Sequence, residues 1–434
     1  MLPFANQSFN GSAGLTQGGW ILQSAEARAG IAYGGAMIYG SSQWGAPKGQ
    51  GPHGFGNGGQ IYAQYQPPSG PIALECQMPV YESAAASMTV AHFPSSSAWK
   101  CCAGSMNSKG VARVWTRDDA TNSWQPTTAW ASPAGTTTEI RSMLSYTDSV
   151  TGTDLLFAGL DDLSGGGGIF SAIYDANTPG NLIWGTSAEL ELSTTNQGPQ
   201  PDPSVFEVRV MSFAVGPDEH GKQALFATVG TEIYKRIDGE SPTWQLVWTK
   251  PLVQGESSQS GLRALTQYGS GNFLVFVEGT DWSVVQLTPG AGYAATKLYG
   301  ITDLSAALGP GFIAGYAIGA YNQMCWVNVA GAWCGLIGLS INCPKYPAGT
   351  PIFWGGASAN APWLAQAYYL VLHAGKFTLK QIAAQANPTI APRFMTPFSS
   401  FVMAGGPDFE MRQGEPIYLG WGAWDTAANA VAGA

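Results

Sequence analysis

Charge is scarce in this chain of 434 residues: Asp, Glu, Lys and Arg together make up 11%, against about 25% in an average soluble protein. Basic residues never form a run. With a net charge of −9 and no cluster of Lys and Arg, the chain has nothing to neutralise a phosphate backbone, so nucleic acid is set aside as a partner. Metal-ligand spacings are missing as well: there is no CxxC and no Cys/His cluster, so neither a metal nor a cofactor is expected. The common catalytic fingerprints, GxSxG, HExxH, the P-loop and the dinucleotide motif, do not occur. The first residues, MLPFANQSFNGSAG, have no basic segment and no long apolar run, so they do not read as a signal peptide.

Two apparent signals are weak. The sequons at Asn6 and Asn10 are short enough to arise by chance. Residues 304–344 contain no Asp, Glu, Lys or Arg, but Asn322, Gln323, Asn328 and frequent Gly interrupt them, so no membrane span is expected. The six cysteines are even in number. Cys325 and Cys334 flank CWVNVAGAWC, two short strands about a turn, where a cross-strand disulfide is geometrically open. The adjacent Cys101 and Cys102 read as buried thiols, because a vicinal disulfide would be strained. Charge poverty and aromatic content point to an extracellular or surface-associated setting.

Gly 57, Pro 28, Trp 16, Tyr 17 and Phe 18 take the place of the missing charge. Turn formers and large flat rings favour short strands over helices, and they supply enough apolar area for a folded chain. A repeat then emerges. EARAGIAY (26–33), EIRSMLSY (139–146), EVRVMSFA (207–214) and GLRALTQY (261–268) align so that Arg28, Arg141, Arg209 and Arg263 fall in register. The spacings are 113, 68 and 54 residues, and the first is about two units long; ASMTVAHF near residue 86 fills the gap without an Arg. Second, third and fourth apolar runs follow each of these, among them DLLFAGL, GGIFSAIY and WQLVWTK. All are short and bounded by Gly, Asp, Asn, Ser or Pro, as strands between turns are.

Four short strands per unit of roughly 50–60 residues is the form of a propeller blade, whose two faces are covered only by stacking on neighbours. Over nearly its whole length the chain resembles the β-propeller superfamily in architecture, with no WD dipeptide, Ser-x-Asp-x-Gly-x-x-Trp box or kelch pattern to narrow it further. The expectation is an all-β, seven-bladed β-propeller of four-stranded blades, eight being possible, forming one domain over residues 1–434. GGWILQ (18–23) is expected to close the ring as an outer strand.

The resemblance implies that inner strands begin at the ligand-bearing face and that the loops between second and third strands project from it. Glu26, Glu139, Glu207 and the four arginines would then stand at the channel mouth, each Glu beside its Arg. Such a ring could grip an anion through forked hydrogen bonds. It could equally lace the blades together, which is the commoner use of a repeated charged position. Among the unequal loops, residues 41–59 carry Trp44, Lys48, His53 and Phe55; others carry Lys109, Asp161 and Asp162, and Glu278, Asp281 and Trp282. His53, Asp161 and Glu278 are the candidate catalytic groups, the two carboxylates serving a glycosidase if they face each other about 5–10 Å apart. Arg28, Arg141, Arg209, Arg263, Trp44 and Trp282 are the candidate ligand contacts. Three readings follow: a carbohydrate-binding or carbohydrate-processing propeller, a noncatalytic structural or adsorption protein, and an enzyme holding a hydrophobic small molecule in an aromatic-lined channel.

Overall fold

A computed structural model describes residues 5–9, 26–42, 58–66, 72–162, 167–192, 209–251, 261–278, 281–319, 324–329, 332–353, 363–364, 368–381, 393–398, 401–407 and 417–423. The chain is all-β, with its sheets in a propeller-like ring. Antiparallel pairing groups the strands into successive quartets, each running outward from an inner strand. The inner strands, first to seventh, are Glu26–Tyr33, Glu82–Phe93, Thr138–Thr147, Val210–Pro217, Leu262–Tyr268, Cys325–Val329 and Phe394–Phe398.

The quartets do not separate into seven independent blades. The strands form four hydrogen-bonded sheets of 17, 4, 4 and 7 strands. The largest merges four quartets through short pairings at strand ends, such as Ser42 with Ala84, Thr138 with Asn107 and Glu26 with Pro407. In each case the start of an inner strand pairs with the end of the preceding quartet's second strand. An N-terminal strand takes part in closure. The seventh quartet is completed by Ala5–Phe9, which pairs antiparallel with Ile417–Ala423; GGWILQ lies outside the described residues.

Packing between quartets builds the core. Second strands read as unbroken apolar runs because both of their faces are covered. In Asp154–Asp162, Leu156, Ala158 and Leu160 face the second quartet, while Leu155 and Phe157 face the fourth. The same alternation separates Cys101, packed toward the first quartet, from Cys102, packed toward the third. All six cysteines are buried and free. Cys325 pairs with Leu336 and Cys334 with Val327, so those two thiols sit two residues out of register and form no disulfide. Glycine lets the next inner strand approach: a Cβ on Gly159 would lie 2.5 Å from the Val210 side chain, and one on Gly104 2.6 Å from Ile140.

Residues 304–344 contribute to the helix Ile301–Leu308 and to strands of the sixth quartet's sheet. Among the described residues no helix is long and apolar enough to cross a membrane.

Candidate functional site

The inner strands build three layers around the axis. The first is ionic. Each of the first three inner strands has a β-bulge where the repeated position falls, so the extra residue is Arg28, Ala86 or Arg141. A bulge leaves its extra residue outside the ladder and re-aims its side chain. Arg28 reaches past the second quartet, whose Ala86 leaves room, and donates to Glu139. Arg141 binds Glu139 at 2.6 Å and Asp161 at 3.1 Å, and Arg209 of the fourth quartet meets Asp161 at 3.4 Å. Arg263 holds Glu278 at 2.5 Å.

These groups also act on one another electrostatically. Burial pushes the Glu139 carboxyl up, but Arg141, Arg28, Arg209 and Arg263 together outweigh it and leave it below the usual range. For Asp161 the balance reverses: burial, supported by the charge of Glu139, holds it up against Arg141 and Arg209. Burial likewise raises Glu278 against the pull of Arg263, Arg209 and Arg393. Burial, and then the nearby Arg141, pull Arg209 down to about 10.

Hydroxyl groups make the second layer. Ser87 donates to the Ile140 carbonyl and Ser142 to the Val210 carbonyl, both at 2.8 Å. Ser212 accepts from the Leu265 N–H at 3.0 Å, and Thr266 from the Met324 N–H at 3.1 Å. Each inner strand from the second to the fifth is thereby stitched to the next quartet. Polar residues persist on these strands because the hydroxyls satisfy backbone groups that no ladder partner reaches.

The third layer encloses a cavity of about 280 Å³, lined from six quartets, with Ile31, Met88, Met143, Met211, Phe213, Met324, Cys325, Trp326 and Met395 on its walls. Arg141 borders it, as do Thr89, Ser212 and Thr396. Trp326 is stacked on Tyr268, the ring centroids 6.2 Å apart and the planes 13° from parallel.

The structure therefore gathers Arg28, Arg141, Arg209, Arg263, Asp161 and Glu278 in one layer. It does not bring Trp282 there: that indole is fully buried against Phe276 and Tyr299 between the fifth and sixth quartets. Asp281 lies 3.7 Å from Lys250, and Lys109 belongs to the turn capped by Asn107. Trp44, Lys48, His53, Phe55 and Glu207 lie outside the described residues. Sequence reasoning missed Arg393, whose stretch RFMT matches RVMS at Arg209, and it missed the methionines and Trp326.

No protein-family model matches this chain, and no curated protein matches it in sequence. Among solved structures it is similar to a mutant of AofleA from Arthrobotrys oligospora, with 8% identity and a TM-score of 0.40 over 88% of this chain and 91% of that one. It is also similar to U3-55K, with 9% identity and a TM-score of 0.45 over 92% and 96% of the respective chains. At these values neither likeness bears on what this chain binds.

Proposed function

We propose that the chain is a seven-bladed propeller, one domain over residues 1–434, that binds a compact ring-bearing ligand in its central channel. A monosaccharide is the first class to test. Trp326 carries the reading: an indole fixed by stacking on Tyr268 sits on the wall of a cavity, and a rigid aromatic face suits the apolar face of a sugar ring. Thr89, Ser212, Thr396 and Arg141 border the same space and supply the few polar groups that orient a ligand in such sites. Binding is favoured over glycosidase chemistry because Asp161 and Glu278 are already engaged by Arg141, Arg209 and Arg263. An extracellular or surface-associated setting belongs to this reading and rests on composition. Saturation-transfer NMR with a panel of neutral monosaccharides is expected to show binding to the wild type and its loss in Trp326→Ala. Absence of any saccharide signal at millimolar concentration, with the fold intact, would sink the proposal.

A structural or assembly role has one observation of its own. Ile173 and Ile183 face each other across paired strands of the third quartet and are 43% and 44% exposed. If this pair joins copies, sedimentation should show an oligomer that Ile173→Lys dissociates.

A further inference from the structure

The channel walls hold a concentration of sulfur that sugar recognition does not use. Five of the chain's eleven methionines, Met88, Met143, Met211, Met324 and Met395, line the cavity described above, and Cys325 joins them. Four of the five are in register. Met143, Met211 and Met395 each stand two residues after a repeated arginine, and Met88 stands two after the Ala86 that replaces one. The inner strands thereby bring a methionine from four quartets to one cavity, Met211 from the bulge of its strand. If packing were the only demand, leucine would serve and the space would be filled, as protein interiors are. Instead these residues border open volume.

We propose that this layer binds a soft monovalent cation, copper(I) or silver(I), through the thioethers of Met88, Met143, Met211 and Met395. Thioethers are soft, neutral ligands that prefer such ions to zinc, calcium or magnesium. The three rotatable bonds of methionine let sulfurs from separate strands swing toward one point. Hard and borderline ions have no competing site here: among the described residues no group of three or more His, Cys, Asp or Glu could hold a metal. The bordering Arg141 does not oppose the cation with a bare charge, because Glu139 and Asp161 both pair with it. Thioether coordination needs no proton or electron exchange. If the Cys325 thiol also coordinates, one proton leaves for each ion bound.

Silver(I) is the probe, being redox-inert. Because the chain also holds six free thiols, the decisive quantity is a difference between proteins. Titration by calorimetry in nitrate buffer should show one more bound equivalent in the wild type than in Met143→Leu/Met211→Leu. Leucine nearly conserves methionine's volume and keeps the core packed. Cys325→Ser should retain that equivalent, and X-ray absorption on copper(I)-loaded wild type should show a sulfur-only shell. Equal stoichiometry in wild type and double variant would overturn the proposal. So would a nitrogen or oxygen shell, a reading on the wild type alone that stands whether or not the variant folds.

Discussion

Arg141 is the residue on which the ionic layer turns, because it binds Glu139 and Asp161 at once. Replacing it with a methionine of similar reach leaves two buried carboxylates without that partner, and removing one member of a buried pair costs about 3–5 kcal/mol. Denaturant unfolding of Arg141→Met should show a loss of that size; a change within 1 kcal/mol of zero would mean the layer contributes no more than a surface pair. Glu278 offers a test with a sign. A carboxyl raised in the folded state adds stability below its ordinary value and loses it as pH climbs through the raised one. Glu278 and Asp161 both follow this trend, whereas the lowered Glu139 runs the other way, losing its stabilisation as pH falls. Glu278→Gln removes one of the two penalties at high pH. Its melting temperature relative to wild type should therefore rise as pH increases from the ordinary glutamate value of 4.5, and a difference that stays flat with pH would refute the assignment. The arginines were legible because a charged residue recurring in a charge-poor chain stands out. Arg393 escaped because residues 345–434 do not divide cleanly into units, and Trp326 because one Trp among sixteen carries no signal until the fold sets it on a cavity.

At the scale of elements, inner and second strands could be read because burial on both faces makes them continuous apolar runs. The closing strand could not. Ala5–Phe9 is the polar pentapeptide ANQSF, with no apolar alternation, and it is a strand only because Ile417–Ala423 offers an open edge. GGWILQ, which has the better strand composition, lies outside the described residues. The register of Ser8 with Tyr418 and of Gln7 with Leu419 gives a direct test. Ser8→Pro removes a backbone donor and fixes φ, so limited proteolysis should cut within residues 401–423 sooner than in the wild type. Unchanged protection there would show that the N-terminal strand does not hold the ring shut.

Across the whole molecule, the spacing of 113 residues between Arg28 and Arg141 has a structural counterpart. Between the first and second quartets, Arg117 bonds Glu75 and Asp119, and Asp119 accepts from Tyr33. The third and fourth quartets repeat the clasp: Arg236 bonds Glu189 and Asp238, and Asp238 accepts from Tyr146. Tyr33 and Tyr146 are again 113 residues apart. The same clasp thus recurs at the interface of the first and second quartets and at that of the third and fourth. Burial works against the charge on Arg236, but its bonds to Glu189, Asp148 and Asp238 outweigh it, and its guanidinium also covers the Phe157 ring at 5.2 Å. If each clasp is a local device, Arg117→Met and Arg236→Met should lower stability additively, within about 0.5 kcal/mol, because they share no partner. Arg236→Met combined with Asp238→Asn should fall short of additivity, since one contact is lost in both. Denaturant unfolding of the three single and two double variants decides the matter. Strong coupling between the two distant arginines would mean that the ring unfolds through a concerted opening of both interfaces and that the repeated clasp does not divide the molecule mechanically.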